Sequence, residues 1–133
     1  MGVIYRPISL LPDLGDAVTT ATASINLSAL RAVILDNAGQ FAYADSGTPD
    51  HAYRVAGILP YAISQGTEGV AYRLGEITDA VWNWVRGSPI YLGTNGQLTQ
   101  TPPTTGFLLV LAQPVSATTI NLVQPFPIIL SGA

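Results

Sequence analysis

The chain has 133 residues, of which 48% are apolar and only 10% charged, with five Arg, no Lys, eight acidic residues and a formal charge of −3. That length suits one domain with a single modest core, and the composition excludes intrinsic disorder, which needs low hydrophobicity and high charge. Arg6, Arg31, Arg54, Arg73 and Arg86 are scattered along the chain, so neither a nucleic-acid face nor a polybasic membrane anchor is expected.

Residues 1–28 read as an N-terminal arm or extension. The apolar stretch at 8–11 is closed by Pro12 and followed by Asp13 and Asp16, too short for a signal peptide. From 16 to 25 the chain is small and uncharged after Asp16, and its pattern suits a strand, a helix or an arm ordered against a neighbour. No run reaches the 18 or so apolar residues of a membrane span.

Residues 29–130 read as the β domain. Thirteen Gly and ten Pro leave short runs rich in Val, Ile, Leu, Tyr and Thr between them, the signature of an all-β chain. Residues 31–36 and 41–45 predict a hairpin around Asn37 and Gly39, and residues 89–92 and 97–101 predict a second around Asn95 and Gly96. Residues 107–112 and 120–123 predict a third, with further strands at 53–58 and 69–74. Residues 124–130 must be extended, because Pro125 and Pro127 disfavour helix at themselves and at their predecessors. Phe126, Ile128, Ile129 and Leu130 make this tail an apolar edge strand or a strap over a neighbour.

The halves resemble each other. Residues 32–40 answer residues 89–97 at an offset of 57, and residues 54–58 answer 109–113 once two residues are dropped. Each copy is a hairpin, a loop with Thr-Pro (Thr48-Pro49, Thr101-Pro102) and a return strand. The expected architecture is a small β-barrel or a jelly-roll-like β-sandwich of two related units with extended termini, a plan that closes strand edges.

Groups suited to catalysis are sparse. Cysteine is absent and His51 is the only histidine, which removes thiolate chemistry and a zinc site. His51 follows Pro49 and Asp50 in a segment with turn chemistry and reads as a loop anchor. Glu68, Glu76 and Asp79 could supply paired carboxylates for glycoside hydrolysis. However, Glu68 adjoins Gly69 at a turn, and residues 76–79 read as a loop or short cap. No phosphate-binding glycine motif and no calcium loop occurs. The chain is therefore expected to be no enzyme and to hold no cofactor or metal.

The most individual segment is 80–92. In a strand, Trp82 and Trp84 share one face and Asn83 and Val85 the other. Two aligned indoles suit a core layer, a subunit interface or a sugar platform. Tyr91 follows in the second hairpin. Eleven aromatics, five Arg, no Lys and two Glu match the composition of buried interface cores.

Leu74-Gly75-Glu76-Ile77, Trp82-Asn83-Trp84, Gly87-Ser88-Pro89-Ile90-Tyr91-Leu92-Gly93, the run from Gly96 to Pro103, Gly106-Phe107 and Pro127-Ile128-Ile129-Leu130 together resemble small virion proteins of tailed bacteriophages. The resemblance spans roughly residues 30–130, and its nearest form is the capsid cement or head decoration protein. It implies a homo-oligomer, a trimer or a dimer, on the capsid exterior, bound to the major capsid protein. Tail-fibre and baseplate proteins use similar modules, which implies an alternative role in binding host-surface glycan through the tryptophans. The implied contact residues are Trp82, Trp84, Tyr91, Phe126, Ile128, Ile129 and Leu130.

Overall fold

A computed structural model describes residues 17–123 and 126–130. Among them the strands are β1 (Val18–Thr22), β2 (Ala32–Leu35), β3 (Phe41–Tyr43), β4 (Val55–Ile58), β5 (Glu68–Tyr72), β6 (Gly75–Thr78), β7 (Ile90–Leu92), β8 (Leu98–Thr99), β9 (Phe107–Leu108), β10 (Val110–Pro114), β11 (Thr119–Leu122) and β12 (Ile128–Ile129). Two five-stranded sheets form, ordered β1-β5-β4-β2-β3 and β6-β11-β10-β7-β8, with a separate β12-β9 ribbon. All the strand pairings are antiparallel. The all-β class is as expected. The sheets stay open, however, so the barrel alternative does not hold. Each sheet is built from its own consecutive stretch of chain, without the interleaving of a jelly roll.

The internal repeat is real at the level of hydrogen-bond register. With β9 set aside, both sheets have the same strand order. Adding 57 carries Ile34↔Ala42 and Leu35↔Phe41 onto Tyr91↔Thr99 and Leu92↔Leu98. The return strand follows at 55. Val33 pairs with Gly57 and Ile34 with Val55, skipping Ala56; likewise Ile90 pairs with Ala112 and Tyr91 with Val110, skipping Leu111. One β-bulge thus recurs at one place, and bulges re-aim a strand reproducibly. The hairpin turns match too. Asp36 N–H donates to the Gln40 carbonyl at 2.9 Å and Gly93 N–H to the Gln97 carbonyl at 2.8 Å, with Gly39 at φ +76° and Gly96 at φ +74°.

Equivalent faces are used differently in the two halves. In the first sheet Val33, Phe41, Ala56 and Ala71 pack with Leu27, Leu59 and Ile63 from connections lying across that face. The opposite face of the same sheet, with Ala32, Ile34 and Ile58, enters a larger core against Ile90, Leu92, Leu111, Ile120 and Leu122 of the second sheet. Ile90 is the counterpart of Val33, Leu92 of Leu35 and Leu111 of Ala56. The front of the second unit therefore rests on the back of the first. This explains why residues 32–35 form an uninterrupted apolar run: β2 is covered on both faces. β11 has one covered face and alternates, with Ile120 and Leu122 buried and Asn121 exposed.

Residues 17–28 are not an arm. β1 pairs with β5 over five residues, Ala21, Ala23 and Leu27 are buried, and Leu27 exchanges two backbone hydrogen bonds with Ile63. The folded domain thus begins by Ala17. The expectations for residues 1–16, and for Gln124 and Pro125, lie outside the described residues.

Candidate binding surfaces

Trp82 and Trp84 lie outside the strands, in the connection between β6 and β7. Their backbones are held by turns and loops: Trp82 N–H donates to the Asp79 carbonyl at 3.0 Å and Trp84 N–H to the Ala117 carbonyl at 2.8 Å. The following residue is clamped by Gln100, whose side-chain carbonyl accepts from Val85 N–H at 3.0 Å. The Gln100 amide donates to the Val85 and Ser88 carbonyls, each at 2.8 Å. The connection is not a strand: its backbone bonds run to loops rather than to a neighbouring strand, and Gly87 beyond it takes φ +90°. The expected alternation survives nonetheless. Both indoles turn inward and are half-buried against the core, while Val81, Asn83 and Val85 are exposed.

The ring centroids are 5.7 Å apart and the planes are inclined at 57°. The pair lines an open hollow of about 410 Å³ with Leu30, Arg31, Gln97, Leu98 and Thr99. Arg31 donates to the Asn95 carbonyl at 3.1 Å and lies 5.1 Å over the Tyr43 ring, an arrangement that fixes its guanidinium. Thr99 Oγ1 accepts from Thr101 N–H at 3.0 Å. Trp84 Nε1 is buried and has no hydrogen-bond partner among the described residues. Arg31, Gln97 and Thr99 are wall residues that sequence reasoning did not pick out. No sequence signal joins them, since Arg31 precedes β2 in the first half of the chain and Gln97 and Thr99 belong to the second.

Tyr91 does not line this hollow. It is half-buried on the back of the second sheet between Val110 and Thr99. Phe126, Ile128, Ile129 and Leu130 form a second surface. Ile128 pairs with Leu108 and Ile129 with Phe107, and Leu130 N–H donates to the Gly106 carbonyl at 2.9 Å. Phe126 is 78% exposed, Ile128 54% and Ile129 53%. Successive strand residues face opposite ways, so among the described residues β12 is exposed on both faces.

The ribbon is tied to both units. Phe107, fully buried, donates its N–H to the Ser46 carbonyl at 3.0 Å, and Ser46 N–H donates to the Gly93 carbonyl at 3.0 Å. Ser46 sits in the loop anchored by His51, whose Nδ1 accepts from Asp45 N–H at 3.1 Å. The histidine therefore does what its turn sequence suggests. Glu68 and Glu76, read from sequence as turn and loop, stand in strands of different sheets. Among the described residues no three His, Cys, Asp or Glu side chains gather into a group that could hold a metal ion. No helix among them is long and apolar enough to cross a membrane.

No family model and no curated protein matches the chain.

Proposed function

We propose that this chain is a structural protein of a phage virion, a capsid cement or decoration protein that binds and stabilises the shell of major capsid protein from outside. The observation that carries the reading is the β12 strand, which exposes an isoleucine on each face beside exposed Phe126. A contiguous apolar, uncharged edge of this kind calls for a covering partner. Its other edge is fixed to β9 and through Phe107 to both units, so a load on the ribbon passes into the domain.

A cement protein needs no reacting group. It works by adding buried area between capsomers, and many copies multiply modest contacts. An exposed strand can join a neighbour's sheet, where backbone hydrogen bonds give affinity with little demand on sequence. The protein acts as a homo-oligomer, a trimer first and a dimer second, because capsids offer threefold and quasi-threefold positions.

The test is co-sedimentation with capsids assembled without this protein, alongside its mass in solution. The expected result is saturable binding at a fixed copy number by the unmodified chain. The triple variant F126S/I128T/I129T should keep its fold and lose binding by at least tenfold. Undiminished binding by a folded triple variant refutes the role of the ribbon, and absence of binding by the unmodified chain refutes the function.

A further inference from the structure

Trp82 and Trp84 are the counterparts, 57 residues on, of Ile25 and Leu27, and Asn83 is the counterpart of Asn26. Gly87, at φ +90°, matches Leu30, at φ +61°, so the two connections share a backbone course. In the first unit this connection is roofed by the nine residues between β4 and β5, and Leu27 is buried with Ile63. In the second unit only four residues join β10 to β11. The roof is shorter there, two tryptophans stand where the first unit has two aliphatic residues, and the space beside them is open. Aliphatic residues would serve if the segment only had to pack.

From this geometry we propose that the hollow at Trp82 and Trp84 is a saccharide site that takes a pyranose ring, and that it prefers sugars bearing a carboxylate. A pyranose presents an apolar face of C–H groups and a rim of hydroxyls. The two indoles, inclined at 57° with centroids 5.7 Å apart, pack on each other, and their outward surface is an apolar wall on which such a face can rest. Arg31 and Gln97 bring hydrogen-bonding groups to the same hollow, the combination of apolar wall and few polar groups that small-ligand sites use. Arg31 is the one charged residue in the wall and is already oriented by Tyr43 and Asn95, which selects for an anionic sugar. Buried indole N–H groups normally find an acceptor. Trp84 Nε1 has none among the described residues. An apolar peptide would leave this polar rim unpaired.

The site is independent of the ribbon and of the capsid role. The test uses the full chain labelled with ¹⁵N, whose two tryptophans give two indole N–H signals. Galacturonic acid trimer and, separately, maltotriose are titrated to ~10 mM, which covers millimolar affinity. The expected result is a saturable shift of both indole signals with the acidic trimer and roughly tenfold weaker binding of the neutral one. R31Q should bring the two affinities together, and W84F should abolish the shift at Trp82 while the remaining spectrum stays folded. No saturable shift with either sugar overturns the proposal, as does binding that leaves both indole signals in place. A shift produced by an apolar tripeptide and by neither sugar overturns it in favour of a peptide groove.

Discussion

Leu27 and Trp84 stand at the same position in the two halves of the chain, and each donates its backbone N–H to the connection between the fourth and fifth strands of its own sheet. Leu27 reaches the Ile63 carbonyl at 2.8 Å and Trp84 the Ala117 carbonyl at 2.8 Å. The shared bond shows that the halves kept one scaffold while the side chains on it diverged, one into a sealed core and the other toward an open hollow.

The two hairpin glycines test that shared scaffold. Gly39 and Gly96 have nearly the same positive φ, but a Cβ on Gly39 meets nothing, whereas one on Gly96 collides with the Ala32 carbonyl. Gly39→Ala should cost about 1 kcal/mol from backbone strain alone. Gly96→Ala should cost about 3 kcal/mol or more, because the first unit cannot withdraw its backbone. Urea unfolding of both variants measures the difference, and equal losses would mean that the turn does not touch the other sheet.

Core and ribbon isoleucines should separate cleanly. Ile90 is fully buried at the joint between the sheets, and Ile90→Ala should lower stability by about 2–5 kcal/mol through lost burial and the cavity left behind. Ile128→Ala should stay within about 0.5 kcal/mol, as expected for a side chain more than half exposed. Chemical denaturation reads both.

Gln100 holds the tryptophan connection through three hydrogen bonds. Gln100→Ala should cost about 1–2 kcal/mol, since each such bond contributes modestly near the surface. Its clearer signature is local: tryptophan emission should move to longer wavelength as the indoles gain water. Unchanged emission would show that the connection is held in place without the clamp.

Tyr72 supplies a pH dependence. Its hydroxyl pKa is raised above 10.0, first by burial and then by nearby Tyr61. The folded state therefore favours the neutral phenol more than the unfolded chain does. That contribution is complete below the unfolded pKa and is lost as pH rises through the folded value. Tyr72→Phe should accordingly lose less stability than the unmodified chain between about pH 9 and 11. Parallel curves for the two proteins in urea unfolding would refute the linkage.

The parts of this fold legible in the sequence are those fixed by turn chemistry. Asn37 with Gly39 and Asn95 with Gly96 announced both hairpins, and the offset of 57 announced that they were related. β6 escaped notice: its burial alternates strictly, but its inward positions are Gly75 and Ile77, so its four residues carry a single apolar side chain. β1 was ambiguous because Thr and Ala at 19–23 carry no strong period, and only pairing with β5 decides it. The third expected hairpin was half right. β10 and β11 do pair, but Phe107 and Leu108 leave for β12, a choice made by a segment twenty residues further on. The hollow's polar wall was illegible because Arg31 and Gln97 come from different halves of the chain.

Stacking front upon back gives the domain a direction. A twofold arrangement of the units would have joined like faces and used up both. Here one outer surface is roofed by the connection carrying Ile63, and the other is finished with Glu76, Tyr91, Thr99, Gln113 and Asn121. Each end is therefore terminated by different means, one by a lid of chain and the other by a change of side chains. Among the described residues the second unit's outer face is the one without a roof of chain, and aliphatic residues at Tyr91 and Thr99, where the first unit has Ile34 and Ala42, would let it seat a further unit.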